Sequence, residues 1–262
     1  MSVKIKYQWR ITKYNPIHRN EHGYYTIGSE WTSSSDIGKN MYDGLLTLEN
    51  YIKVETAYID TIIRFLEANN IKSIWIPTVT YIDINRESTL YDKEFDKLHL
   101  QDDQEVSIAH VRLIAKMVLR EFIHCNFITR NFFVHFGYDY YLYIGSNSYY
   151  DEPLRFTEAQ NLFVEEMISP YYTEERDMVR SVIWTNIEDD VVIGQEILRN
   201  ISLKEYQKTL RLSTLHPVTG SFSITKDNFE FFQSKMHHQM DFTKYNYYLD
   251  SEYSPNCKTA LN

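Results

Sequence analysis

The 262-residue chain contains little cysteine, glycine or proline, with two, eight and six residues of each. The two cysteines, Cys125 and Cys257, lie far apart and fit no metal-binding spacing, so no disulfide framework is indicated and a cytoplasmic location is expected. The few glycines and prolines leave little material for flexible linkers or low-complexity arms. Because 43% of the residues are hydrophobic and 24% are charged, the chain is expected to fold.

Long apolar segments are also missing. The two most apolar stretches, residues 108–122 and 131–144, are interrupted by histidine and charged side chains and are shorter than the roughly 20 residues that span a bilayer. Residues 1–6 contain no apolar core of a secretory signal. We therefore expect no membrane partner.

The motifs of familiar enzymes are absent too. No glycine-rich phosphate loop, no nucleophile elbow and no HExxH zinc motif occurs in the sequence. His18 and His22 have the spacing of a helical ligand pair, but they lie between Pro16 and Gly23, where a helix is not expected. The sequence thus predicts no metal and no cofactor, and it favours a non-enzymatic protein. Three further histidines lie in apolar segments and are expected to be buried in the core: His110, His124 and His135.

The formal net charge of −9 is unevenly distributed. Residues 151–196 contain twelve acidic side chains and three arginines, so this segment alone carries the net charge of the whole chain. General nucleic-acid binding needs clustered Lys and Arg and is disfavoured, whereas a basic protein partner would be attracted. The alternative is that these acids are the solvated faces of helices and loops.

The chain has 22 tyrosines, and eight of them lie between residues 138 and 172. An acidic, tyrosine-rich surface suits an Arg- or Lys-rich partner through cation–π contacts and charge-assisted hydrogen bonds. Neighbouring residues on a strand face opposite sides of the sheet, so only the tyrosines of one face are available to a partner. For the same reason Glu165 and Glu166 are expected to point in opposite directions. The alternative is that the tyrosines only fill a sheet. The predicted partner-binding residues are Tyr138, Asp139, Tyr140, Tyr149, Tyr150, Asp151, Glu152, Glu165 and Glu166.

Hydrophobic periodicity and capping signals predict four helices. Apolar residues at helical spacing indicate helices over residues 47–69 and 104–124. Ser202 and Glu205 form a capping box that opens a helix to about residue 212. Thr225 is expected to cap the fourth helix.

Alternation of apolar and polar residues predicts the strands. They cover residues 4–13, 74–84, 162–167 and 222–224, and Pro77 indicates an edge or a bulge in the second of them. Residues 132–144 indicate either a hairpin that turns at 137–139 or one long strand. Residues 177–184 fit a short helix or a strand.

Strands and helices do not alternate regularly along the chain. The sequence therefore predicts an α+β fold of mostly antiparallel sheets packed against several amphipathic helices. We expect one compact unit over residues 1–262, or two packed halves, 1–125 and 126–262.

A long polar connection between residues 15 and 44 carries the most distinctive motif. Residues 9–16 read W-R-I-T-K-Y-N-P and residues 30–38 read E-W-T-S-S-S-D-I-G. This pair of segments resembles the N-terminus of a family of poorly characterised bacterial proteins that is similar to immunity proteins, and the resemblance implies no activity. Asp36 is expected to cap a helix or to hold Arg10. The candidate loop site consists of Arg10, Trp31, Ser35 and Asp36.

These observations favour a non-enzymatic, cytosolic binding protein that inhibits a basic toxin or effector in immunity or defence. One alternative is a hydrolase or nuclease with a carboxylate site built from Asp139 and Glu165 near Arg10 and Asp36. A second alternative is a subunit of a larger assembly, or a homo-oligomer, in which exposed aromatic side chains form the interface.

Overall fold

A computed structural model describes residues 4–82 and 86–254, which form two compact units divided at residues 172 and 173. Each unit combines helices with antiparallel sheets, so the predicted α+β class is confirmed. The division replaces the predicted boundary at residue 125, because strands on both sides of that residue belong to one sheet. Residues 83 and 84 of a predicted strand, and Cys257, lie outside the described residues.

The first unit contains three α-helices, three short 3-10 helices (Pro16–His18, Ser34–Asp36 and Lys93–Lys97) and eleven strands in its described part. The α-helices are α1 (Leu48–Ala68), α2 (Ile108–Leu119) and α3 (Asp151–Ala159). The strands are β1 (Tyr7–Thr12), β2 (Asn40–Met41), β3 (Gly44–Leu45), β4 (Ser73–Ile76), β5 (Val79–Tyr81), β6 (Gln104–Ser107), β7 (Ile123–Cys125), β8 (Phe127–Ile128), β9 (Phe132–Phe136), β10 (Leu142–Ser146) and β11 (Phe163–Glu166).

Seven of these strands form one antiparallel sheet in the order β11-β1-β10-β9-β8-β4-β6, and two ribbons pair β2 with β3 and β5 with β7. Trp9 of β1 lies opposite Ile144 of β10. Both are buried in the main core with Phe65 of α1 and Ile114 of α2. The face of the sheet that bears Trp9 is therefore the face covered by helices.

The helix α1 begins and ends where the sequence predicts. The hydroxyl of Thr47 accepts a hydrogen bond from the backbone N–H of Asn50 and caps the first turn. Asn70 adopts a φ of +52° just after the C-cap, a conformation that asparagine tolerates and that stops the helix. Both signals are local, which is why the prediction over residues 47–69 is confirmed.

The predicted helix over residues 104–124 is wrong at both ends. Residues Gln104–Ser107 form β6, which pairs with β4, and Ser107 then caps α2 through its hydroxyl. The helix ends at Leu119, and Glu121 has a φ of +61° before β7 begins. Apolar periodicity does not distinguish a helix from the strands that continue it, and pairing with distant segments decides.

The second face of the large sheet has its own small core. Phe133 and Tyr143 pack there with Ile5. Phe133 lies opposite Gly145 in the sheet, and a Cβ atom on Gly145 would come within 2.1 Å of the Phe133 ring. Glycine is therefore required at this position by the close approach of the ring.

The aromatic middle of the first unit is a hairpin. Strands β9 and β10 pair antiparallel, with Phe136 opposite Leu142, so the hairpin prediction is confirmed and the single long strand is wrong. Pro77 divides the predicted strand over residues 74–84 into β4 and β5, which join different sheets. Helix α3 was missed, because its short apolar pattern is flanked by acids.

The second unit contains two α-helices, one 3-10 helix (Glu175–Asp177) and four strands in its described part. The α-helices are α4 (Leu203–Thr209) and α5 (Phe229–Gln233), and the strands are β12 (Met178–Asn186), β13 (Val192–Leu198), β14 (Phe222–Ile224) and β15 (Tyr245–Tyr253). The strands form one antiparallel sheet in the order β13-β12-β15-β14, and Val182, Tyr247 and Phe232 are buried in its core.

The structure of the second unit confirms some of the predicted elements and contradicts others. The capping box of Ser202 and Glu205 is present at the start of α4, as predicted. Residues 178–186 form a strand, so the helical alternative is wrong. Thr225 does not cap a helix: α5 begins after Asn228, and the Thr225 hydroxyl instead accepts a turn hydrogen bond from the N–H of Asp227. Strand β13 is not predicted from the sequence.

Candidate functional site

The first unit has a pocket of about 210 Å³ between β1, β11 and α3. It is smaller than the roughly 300–1,000 Å³ of typical small-molecule sites, which suits one side chain better than a cofactor. We call it the acidic aromatic pocket. Its lining residues are Trp9, Tyr149, Asp151, Leu154, Arg155, Glu158, Val164 and Glu166.

The base of the acidic aromatic pocket is aromatic. Trp9 is 2% exposed and lies 5.5 Å, ring to ring, from Phe65 of α1, which fixes its position. Tyr149 is half exposed, and its ring centroid lies 6.0 Å from that of Trp9 and 5.4 Å from that of Tyr7. The result is a rigid tryptophan with one accessible tyrosine beside it.

The rim of the acidic aromatic pocket is negatively charged. Glu166 lies opposite Trp9 in the pairing of β11 with β1, and Asp151, Arg155 and Glu158 follow one another along α3. Residues spaced by three or four positions share one face of a helix, so α3 presents these three side chains together. Arg155 is paired with Asp151 at 3.1 Å. Glu158 and Glu166 have no ion-pair partner among the described residues.

Glu165 points to the other face of the sheet, as strand alternation predicts. It accepts two hydrogen bonds from Arg10, at 3.0 and 2.8 Å, and one from Arg19 at 3.4 Å. The ring of Tyr141 lies 5.5 Å from each guanidinium. Glu165 therefore fixes three distant segments, and this corrects its prediction as a partner-binding residue.

Tyr140 is also not available to a partner. It is 6% exposed, and its hydroxyl donates to the carbonyl of Leu119 at 3.1 Å. The Tyr51 hydroxyl donates to the same carbonyl, and Trp31 packs edge-on against the Tyr140 ring at 4.8 Å. Tyr140 serves as a core residue whose hydroxyl satisfies the end of α2, which corrects its prediction.

Tyr138 and Asp139 are exposed but lie away from the acidic aromatic pocket. They form the turn before β10, whereas Tyr149 and Tyr150 follow that strand. Five residues of strand span about 17 Å, so the two groups lie at opposite ends of β10. Asp151 and Glu152 open α3, where their charges favour the helix N-terminus.

The candidate loop site is not assembled. Trp31 is buried in the main core, and Arg10 is engaged by Glu165 rather than by Asp36. Asp36 instead completes a capping box with Ser33, one of the two predicted roles. Burial acts to raise the pKa of Asp36, but Lys39 and the backbone N–H groups of the loop hold it below its usual value.

The carboxylate site of the enzymatic alternative is not formed either. Asp139 is exposed, and Glu165 is neutralised by two arginines. Nowhere in the described ranges do three His, Cys, Asp or Glu side chains come together to hold a metal ion. Glu165 is therefore not free to act as the carboxylate that the hydrolase alternative assigns to it.

The histidine predictions are confirmed for one residue of three. His135 is buried, its Nδ1 lies 2.9 Å from the Ser169 hydroxyl, and burial lowers its pKa to about 3. His110 and His124 are exposed, so their prediction as core residues is wrong. His110 lies on the exposed side of α2 and His124 on the exposed side of β7, and the opposite side of each element is apolar.

The acidic segment at residues 151–196 belongs partly to each unit, and several of its acids are engaged by nearby groups. Glu175 accepts two hydrogen bonds from the buried Arg180, and Glu196 accepts hydrogen bonds from the backbone N–H groups of His237 and His238. Only the part on α3 and β11 contributes to the acidic aromatic pocket.

The chain thus has an α+β fold, and its first unit has a small pocket lined by aromatic and acidic side chains. Residues 179–250, in the second unit and less than half of the chain, match a family described as a domain of unknown function (DUF7683). No curated protein and no solved structure matches the chain significantly. The N-terminal motif lies outside the matched segment, so its resemblance to immunity-like bacterial proteins stays a prediction. None of the described helices combines the length and apolar character needed to cross a membrane.

Proposed function

We propose that the chain is a non-enzymatic binding protein whose acidic aromatic pocket receives a positively charged side chain of a basic protein partner. The observation that supports this is that the buried Trp9 and the carboxylates of Glu158 and Glu166 line the same pocket. A cation is attracted to an aromatic face, most strongly to tryptophan, and carboxylates add charge-assisted hydrogen bonds.

The charges of the pocket favour a cation over an anion or a neutral group. Three acids and one arginine line it, and that arginine is already paired with Asp151. A ligand that brings its own positive charge would find two carboxylates with no ion-pair partner in the described structure. The local field would also accelerate the encounter with a basic partner.

The finer form of the proposal is an immunity- or defence-type inhibitor that binds a basic toxin or effector in the cytoplasm. The test is co-expression with the product of the neighbouring gene, followed by co-purification. Recovery of a one-to-one complex from the wild type, and its loss in pocket variants, would support this form. Failure to recover a complex from well-folded protein would count against it.

Binding of a basic peptide should depend on the pocket carboxylates. We expect the Glu158→Gln/Glu166→Gln variant to bind the peptide Gly-Arg-Gly-Arg-Gly about tenfold more weakly than the wild type, since the loss of two carboxylates removes about 1.4 kcal/mol of attraction. The measurement is a titration followed by the indole N–H signal of Trp9 in ¹⁵N NMR spectra.

Two matched controls separate pocket binding from general electrostatic attraction. Glu49→Gln/Glu230→Gln removes two exposed acids outside the pocket and should leave the affinity nearly unchanged. Tyr149→Ala should weaken binding, whereas Tyr138→Ala, at the other end of β10, should not. Equal affinity for Gly-Gln-Gly-Gln-Gly, or equal loss in the two double variants, would contradict the proposal.

A further inference from the structure

The edge of the second unit's sheet carries an unusual group of exposed aliphatic side chains. Exposed apolar residues are ordinarily scattered singly over a protein surface. Here five of them, each at least 44% exposed, lie on β13 and the turn before it: Ile187, Val191, Val192, Ile193 and Ile197. Such a group on one strand requires an explanation that packing within the unit does not supply.

Strand β13 is an open edge. It pairs with β12 on one side, and no described strand pairs with it on the other. An edge strand presents unpaired N–H and C=O groups, and proteins usually guard it with lysine or proline. Strand β13 contains neither, and its one charge, Glu196, is held by the backbone N–H groups of His237 and His238.

We propose that this edge pairs, in antiparallel orientation, with the same edge of a second copy of the chain. The charges at the two ends of β13 select this occupant. Arg199 follows the strand, and the acidic turn of Glu188, Asp189 and Asp190 precedes it. Antiparallel pairing near Gly194 and Gln195 brings Arg199 of each copy to the acidic turn of the other.

Parallel pairing of the two edges is less favourable, because of the charges at the ends of β13. A parallel arrangement would place Arg199 beside Arg199 and acidic turn beside acidic turn. Arg199 has no ion-pair partner among the described residues, so it is available for the contact. Antiparallel pairing also joins β-branched side chains across the two copies, which is a favourable cross-strand combination.

The dimer is expected to be weak. A bulge at Ile193, between the partners of Trp184 and Thr185, interrupts the strand, so the pairing is regular only near its centre at Gly194 and Gln195. A short edge buries less than the roughly 800 Å² per partner of a standard stable interface. We therefore expect a dissociation constant of about 10–100 μM for the dimer.

Sedimentation equilibrium of the full chain tests the pairing. Concentrations from about 5 to 500 μM cover the range of the expected dissociation constant. The wild type should approach twice the monomer mass at the highest concentrations. Ile197→Lys should weaken the dimer at least about tenfold, because a charged side chain on the edge opposes pairing. The matched control, Ile17→Lys, replaces an exposed isoleucine of the first unit and should dimerise as the wild type does.

A charge exchange distinguishes a second copy from any other occupant. Arg199→Glu should weaken the dimer about tenfold, and combining it with Glu188→Lys and Asp190→Lys should restore the affinity to within about threefold. Thermal unfolding checks that each variant folds. A monomer at all concentrations, a dimer indifferent to Ile197→Lys, or no restoration by the charge exchange would overturn the proposal.

Discussion

Replacing Glu55 with alanine should destabilise the first unit by about 3–5 kcal/mol, because it leaves a buried guanidinium unpaired. Glu55 is 2% exposed on α1, and its carboxylate accepts hydrogen bonds of 2.6 and 2.8 Å from Arg120 at the end of α2. The Nη1 atom of Arg120 donates a hydrogen bond to the carbonyl of Leu90 at 2.6 Å. Three segments therefore meet at this ion pair.

The same two helices provide a matched control. Asp60 of α1 and Arg112 of α2 form an ion pair of 2.7 Å that is partly exposed. Asp60→Ala should cost at most about 1 kcal/mol, since water replaces the lost partner. The double variant Glu55→Met/Arg120→Met should cost less than Glu55→Ala, because no buried charge remains unpaired.

Urea denaturation followed by tryptophan fluorescence measures these differences. Trp184 is the only tryptophan of the second unit, so a Trp184→Phe background confines the signal to the first unit. Equal losses for Glu55→Ala and Asp60→Ala, or a double variant less stable than the single one, would contradict the role assigned to this pair.

Local signals in the sequence predicted those elements that local interactions determine. The cap at Thr47, the stop at Asn70 and the capping box at Ser202 each depend on residues within a few positions. The boundary between β6 and α2 depends instead on pairing with β4, some thirty residues earlier in the chain. No periodicity in residues 104–124 contains that information.

The acidic aromatic pocket was predicted only in part for the same reason. Tyr149, Asp151 and Glu166 were proposed from their own segment, but the tryptophan base comes from β1 near the start of the chain. Asp151, Arg155 and Glu158 follow one face of α3, a signal that was present in the sequence. Their helical spacing could have separated them from the rest of the acidic segment.

The high tyrosine content has a structural explanation as well as a functional one. Of the 22 tyrosines, seven are buried and seven are exposed. Buried hydroxyls at Tyr14, Tyr58 and Tyr140 donate to backbone carbonyls in distant segments. Composition alone does not separate these core residues from Tyr149, because the partners of the hydroxyl groups are fixed only by the fold.

His135 should make the first unit less stable as the pH falls from 7 to 5. Its ring stacks on Phe133 at 4.0 Å, and burial lowers its pKa from 6.5 to about 3. Below about pH 6.5 the unfolded chain binds a proton at this residue, and the folded chain does not bind it until near pH 3. Protonation therefore favours the unfolded state. Between pH 7 and pH 5 the free energy of unfolding should fall by about 2 kcal/mol.

The comparison that isolates this effect is the difference in stability between pH 7 and pH 5, measured by urea denaturation in the Trp184→Phe background. His135→Gln should reduce the difference in unfolding free energy between pH 7 and pH 5 by about 2 kcal/mol, because it removes the proton-binding group. This holds whatever the stability of the variant at pH 7. His124→Gln, which removes an exposed imidazole from the same unit, is the control. An unchanged pH dependence in His135→Gln, or an equal change in both variants, would show that the buried imidazole is not the group responsible.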